Sequence, residues 1–127
     1  MTEILYKDES YKIIGACFEV YKQKGIGFTY QECLQIELSL QAIPYVAQPK
    51  LLIDYKGTRL EQFFRPDFIC YGKIIIEIKA LDKLADIHRS QTLNYLNATG
   101  FDLALLVNFG LFQNSNTNGS QTTEIGQ

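Results

Sequence analysis

A chain of 127 residues, 46% hydrophobic and 20% charged, suits one compact domain with a real core and leaves little room for two. Its net charge of −2 excludes a broadly basic nucleic-acid-binding surface, though not a local basic patch around a cleft. Cys17, Cys33 and Cys70 are odd in number, lack CxxC spacing and sit among apolar residues. They read as buried free thiols, against a zinc site or a disulfide framework. The polar, charged opening Met1 to Ser10 is no leader, and no apolar run is long enough to span a membrane, so a cytoplasmic protein without membrane contact is expected.

Residues 8–24 set Ile13, Ile14, Cys17, Phe18 and Tyr21 at helical spacing, with Asp8, Glu9 and Ser10 early and Lys22 and Lys24 late. Gly25-Ile26-Gly27 ends that helix as a cap and turn. A second helix, 29–41, presents Tyr30, Cys33, Leu34, Ile36, Glu37, Leu38 and Leu40, and Thr29 with Glu32 fits a capping box. Residues 45–55 read as extended, with Pro49 marking an edge or bulge. Lys56-Gly57 is a turn, and extended structure resumes over 58–64.

Phe64 to Ala80 then reads as two strands around a tight turn, its apolar run broken by Asp67, Glu77 and Lys79. A helix over 86–98 ends at Gly100, and Phe101 to Phe109 is a nearly continuous apolar strand of the kind buried on both faces. The expected order is helix, helix, three strands, helix, strand, with a right-handed crossover making the last two strands parallel. The expected fold is therefore α/β, a mixed sheet with helices on both faces, in one domain over residues 1–110. Residues 111–127 are rich in Gln, Asn, Ser, Thr and Gly and are expected to be a disordered polar tail.

The hairpin carries the chemistry. Alternation puts Lys73, Ile75, Glu77 and Lys79 on one face and Ile74, Ile76 and Ile78 on the other. Asp67 joins Glu77 and Lys79 only if it faces residue 77. A two-residue turn at Tyr71-Gly72 sends it to the wrong face; a three-residue turn, Tyr71-Gly72-Lys73, brings the three together. In that geometry Asp67 and Glu77, with the Ile78 carbonyl, would hold Mg²⁺ or Mn²⁺, and Lys79 would act on a water or phosphate. An Asp at a strand entry beside a surface Glu–Lys pair is an equally good account of the same residues. On the following helix His88, Gln91 and Tyr95 form one stripe. Gln91 could bind the water or phosphate, and Tyr95 could contact the backbone or fix Lys79. The stripe, His88 above all, reads equally as a hydrogen-bonded interface.

Pro66-Asp67, Glu77-Ile78-Lys79 and Gln91 with Tyr95 resemble the PD-(D/E)XK nuclease pattern, including the Q-x-x-x-Y helix of its RecB-like members. Gly25-Ile-Gly-Phe28, Tyr30-Gln-Glu-Cys-Leu34, Tyr55-Lys-Gly57, Arg65-Pro-Asp-Phe68 and Leu105-Leu-Val-Asn-Phe109 resemble the small bacterial GxxExxY proteins. The resemblance implies the restriction-endonuclease-like αβββαβ core and metal-dependent cleavage of nucleic acid; DNA is expected before RNA as the partner, though no residue of the sequence decides between them. It makes Asp67, Glu77, Lys79, Gln91 and Tyr95 the site; separately, a domain this small with a single site would need a second copy, a homodimer, to cut both strands. One departure stands out: Gly27 is followed by Phe28-Thr29-Tyr30, so the glutamate between glycine and tyrosine is missing. Glu32 or Glu37 replaces it only with a shift of register. The alternative is thus a weakened or inactive nuclease fold that binds nucleic acid or a protein.

Overall fold

The computed structural model describes residues 5–24, 29–81, 83–110 and 121–126. Helices α1 (Lys7–Lys24) and α2 (Tyr30–Leu40) are followed by five strands: β1 (Tyr45–Ala47), β2 (Leu51–Tyr55), β3 (Thr58–Phe64), β4 (Phe68–Cys70) and β5 (Ile74–Lys79). Helix α3 (Asp86–Thr99) leads to β6 (Leu103–Asn108), and β7 (Gln121–Gly126) closes the order. Strands β1, β4, β5, β6 and β7 form one mixed sheet in that order, in which β5 and β6 are parallel and joined through α3. Strands β2 and β3 form a separate hairpin.

The expected fold class holds, with two refinements in the strands. The extended segment 45–55 breaks into two at Gln48-Pro49-Lys50, where Gln48 has φ 48° and proline cannot donate to a ladder. Residues 58–64 likewise leave the main sheet to pair with β2 across the tight Lys56-Gly57 turn, in which both residues have positive φ.

The core lies in two halves, one on each face of the sheet. On one face Ile13, Ala16, Cys17 and Val20 of α1 and Tyr30, Leu34 and Leu38 of α2 cover Phe68, Cys70, Ile74, Ile76, Leu103, Leu105 and Val107. On the other, Leu96 of α3 packs with Phe64, Ile69, Ile75, Leu84, Ala104 and Leu106. The α1 stripe is thus centred on Ala16 and Val20, and Phe18, expected within it, is exposed. On α2 the expected stripe is too broad: Ile36 and Leu40 are exposed. Thr29 is the N-cap of α2, but no side-chain capping bond forms, because its Oγ1 lies 3.6 Å from Cys33 Sγ instead. Cys17 and Cys70 are buried free thiols, pushed up to about 12 by burial, whereas Cys33 is half-buried.

The tail departs most from expectation. Gln121–Gly126 runs antiparallel to β6, Leu103 pairing with Gly126 and Asn108 with Gln121, so those residues are not a disordered tail. Ladder bonds join backbones and require no apolar side chains, and the strand covers what would otherwise be an open edge of β6. The expected Gly25–Gly27 cap and residues 111–120 of the tail lie outside the described residues.

Candidate active site

The turn decides the site. Phe68 pairs with Ile76, Ile69 with Ile75 and Cys70 with Ile74, which leaves Tyr71-Gly72-Lys73 as the loop and continues to Asp67 opposite Glu77. Tyr71 and Gly72 both take positive φ, 55° and 67°, and the Lys73 N–H closes the turn on the Cys70 carbonyl at 3.1 Å. Glycine supplies that left-handed step at little cost. The odd loop demanded by the charges is the one that forms.

Two backbone hydrogen bonds cross between the carboxylates. The Ile78 N–H donates to Asp67 Oδ2 at 2.6 Å, and the Asp67 N–H donates to Glu77 Oε1 at 3.2 Å. Burial pushes the Glu77 carboxyl up to about 7; the Asp67 charge adds to the rise, and Lys79 and the Asp67 N–H oppose it. Burial also raises Asp67, against the pull of the Ile78 N–H and Lys79. Two half-buried carboxylates that resist sharing their negative charge form a donor set for a cation. Carboxylate oxygens suit a hard ion such as Mg²⁺, which keeps several waters and takes one or two carboxylates. Among the described residues no cluster of three or more histidine, cysteine or acidic side chains placed to hold a metal ion occurs.

Lys79 lies on the same face of β5, close enough for its charge to act on both carboxylates. None of the ion pairs among the described residues uses it. The strand end that carries it is held by a device that sequence reasoning missed. Asn108, fully buried and paired with Lys79 in the parallel ladder, binds Leu81 at both its N–H (2.9 Å) and its carbonyl (3.0 Å). The same Oδ1 accepts the Gly110 N–H at 3.1 Å. A Cβ at Gly110 would collide with the Leu81 backbone, so the two chains meet at a distance only glycine allows. An asparagine inside the apolar run Leu105 to Phe109 was the available signal, since buried strands seldom keep one without bonds to satisfy.

Gln31 was also missed. Its Nε2 donates to the Asp67 carbonyl at 3.2 Å, alongside the Gln48 N–H at 2.9 Å, tying α2 to the site from behind. Tyr30, stacked on Phe109 at 4.3 Å, sets the start of that helix. Glu32 and Glu37 do not fill the place of the missing glutamate. Glu32 is exposed on an open groove of about 500 Å³ that shares no lining residue with the Asp67–Glu77 pair, and Glu37 accepts from Gln41 at 2.7 Å.

On α3, Tyr95 stacks on Phe64 at 3.8 Å with the rings 4° from parallel, and so packs against the end of the strand that leads to Asp67. Gln91 is exposed one turn earlier. His88 caps α3: its Nδ1 accepts the Ala85 N–H and its backbone N–H donates to the Ala85 carbonyl, both at 3.0 Å. The imidazole takes the part that glutamate plays in a capping box.

A family model described as the PD-(D/E)XK nuclease superfamily matches residues 7–119. The chain belongs to that superfamily. No curated protein matches it. Its fold is similar to the crystal structure of SSO0001, at a TM-score of 0.57 and 20% identity, over 96% of this chain and 57% of that one. A second match is an alkaline exonuclease, LHK-Exo from Laribacter hongkongensis, at a TM-score of 0.43 and 15% identity, over 100% of this chain and 72% of that one. The chain therefore spans little more than half the length of SSO0001. Among the described residues no helix is long and apolar enough to cross a membrane.

Proposed function

We propose that this chain is a divalent-metal-dependent nuclease that hydrolyses phosphodiester bonds, of DNA rather than RNA. The observation that carries the proposal is the crossed pair of hydrogen bonds holding the Asp67 and Glu77 carboxylates opposite each other, beside Lys79. Asp67, Glu77 and the Ile78 carbonyl would hold Mg²⁺ or Mn²⁺. Such an ion supplies Lewis-acid polarisation of the phosphate and lowers the pKa of a water. Lys79 orients the attacking water and offsets charge as it builds on the phosphate. Gln91, exposed on α3, reaches the phosphate or water, and Tyr95 keeps α3 against Phe64 and so against the strand that delivers Asp67. The finer resemblance to the GxxExxY proteins rests on the motifs from Gly25 to Phe109, and a single site in so small a domain suits a cytoplasmic homodimer for cutting two strands.

A second reading has its own support. With two acidic ligands and no glutamate from α2, the site is leaner than the motif implies. On that reading the fold binds nucleic acid without cutting, and Asp67→Ala leaves binding unchanged. A cleavage assay with Mg²⁺ or Mn²⁺ on single- and double-stranded substrates separates the two. Metal-dependent cutting that Asp67→Ala abolishes supports the nuclease; tight binding with no cutting by either protein supports the module.

A further inference from the structure

The β2–β3 hairpin packs through Leu51, Ile53 and Phe64 toward the α3 face and leaves the rest of β3 in solvent. Residues 50–65 carry Lys50, Lys56, Arg59 and Arg65 against Asp54 and Glu61, a surplus of two positive charges (4 − 2) in a chain of net charge −2. Arg59 is already committed to Asp54 at 2.5 Å. Two of the remaining cations converge on one ring. Lys50 Nζ lies 4.5 Å and Arg65 Cζ 5.4 Å from the centre of Phe63, which is 43% exposed.

This cluster is tied to the site. Phe63 and Arg65 are exposed and Asp67 is half-buried, while Phe64, which packs on the α3 face of the sheet, and Phe68, which packs on the opposite face, are buried on either side of the short link Arg65-Pro66-Asp67. Arg65 precedes Asp67 by two residues and Phe63 by four, so the chain lets them lie no further than about 7 Å and about 14 Å from it. Arg65 also donates to the Gln48 carbonyl at 3.1 Å, and the Gln48 N–H donates to the Asp67 carbonyl at 2.9 Å.

We infer that Phe63, Lys50 and Arg65 form a platform for single-stranded nucleic acid, on which an unpaired base stacks and two phosphates are held beside the Asp67–Glu77 pair. An exposed ring flanked by cations is the combination that single-strand binders use, because every base has a stackable face and every linkage a charge. The flexible lysine stem lets the ammonium leave the ring for a phosphate as a base arrives. A duplex keeps its bases stacked on each other and gains nothing from the ring. This rests on the nuclease reading for its substrate class, and the test is arranged so that each can fail alone.

The test is fluorescence anisotropy with a labelled single-stranded DNA oligonucleotide and the full chain in EDTA, so that no cutting is involved. Phe63→Ala is expected to weaken binding about 5- to 150-fold, and Phe63→Tyr to restore it. The slope of log affinity against log salt should shrink by about 0.7 in Lys50→Gln and about 1.4 when Arg65→Gln is added. Arg59→Gln should leave it unchanged. Unaltered affinity and slope in these variants, no binding by the wild type, or equally tight duplex binding indifferent to Phe63 would overturn the platform. Binding that follows the expected pattern in a protein that cuts nothing with Mg²⁺ or Mn²⁺ upholds the platform and removes the nuclease reading instead.

Discussion

Asp67 and Glu77 hold each other's strands. The backbone N–H of Asp67 binds the Glu77 carboxylate, and the N–H that follows Glu77 binds the Asp67 carboxylate. Each acid is thereby fixed by a donor from the strand that bears the other. Neither carboxylate can turn away from the shared space without leaving a backbone N–H unpaired. The pair is rigid before anything binds.

The burial of the pair brings a pH dependence. Glu77 is raised from 4.5 to about 7 by burial and by Asp67, and Asp67 is raised as well. A raised acid stabilises the fold fully below its unfolded pKa, and that stability is lost as pH rises through the folded value. Without divalent cations, stability should therefore fall between about pH 4.5 and 7, by up to about 3 kcal/mol for Glu77. Glu77→Gln keeps the acceptor for the Asp67 N–H but has no charge to bury. Chemical denaturation in EDTA at pH 5 and pH 8 should show the loss in the wild type and little in the variant.

Much of this was legible beforehand because period-two alternation is strict. Once Asp67, Glu77 and Lys79 are required to share a face, only an odd loop satisfies them, and Tyr71-Gly72-Lys73 is that loop. Gly100 ending α3 and Lys56-Gly57 turning β2 into β3 were equally readable, since left-handed residues favour glycine. Gln31 and Asn108 were hidden for a different reason: their partners are backbone atoms of Asp67 and Leu81, 36 and 27 residues away, which no local pattern encodes. The β7 pairing was missed because composition reports what a segment can bury, not whether an edge is waiting for it.

Asn108→Ala should strand three backbone groups at once, those of Leu81 and Gly110. Roughly 2–4 kcal/mol of stability should be lost, read from urea unfolding. Because Leu81 lies two residues beyond Lys79, kcat should fall further than metal affinity, as measured by isothermal titration with Mn²⁺.

Gly110→Ala places a methyl group against the Leu81 backbone, which cannot yield without moving the end of β5. A loss of more than about 2 kcal/mol is expected. A melting temperature equal to the wild type's would mean that the two chains do not meet so closely.

Tyr95 contributes through its ring. Tyr95→Phe should keep both stability and activity, while Tyr95→Ala loses the stack on Phe64 and about 1–3 kcal/mol. A Phe variant that melts normally but cuts poorly would assign the hydroxyl a role at the phosphate or Lys79.

The most direct measurement is cleavage by the wild type and Lys79→Ala in Mg²⁺ or Mn²⁺, on single- and double-stranded DNA. The residue is half-buried on β5 and none of the ion pairs among the described residues involves it, so its removal should leave the fold intact. The expected result is metal-dependent cutting by the wild type and a rate about 10²- to 10³-fold lower in the variant. Equal rates in the two proteins would contradict the site.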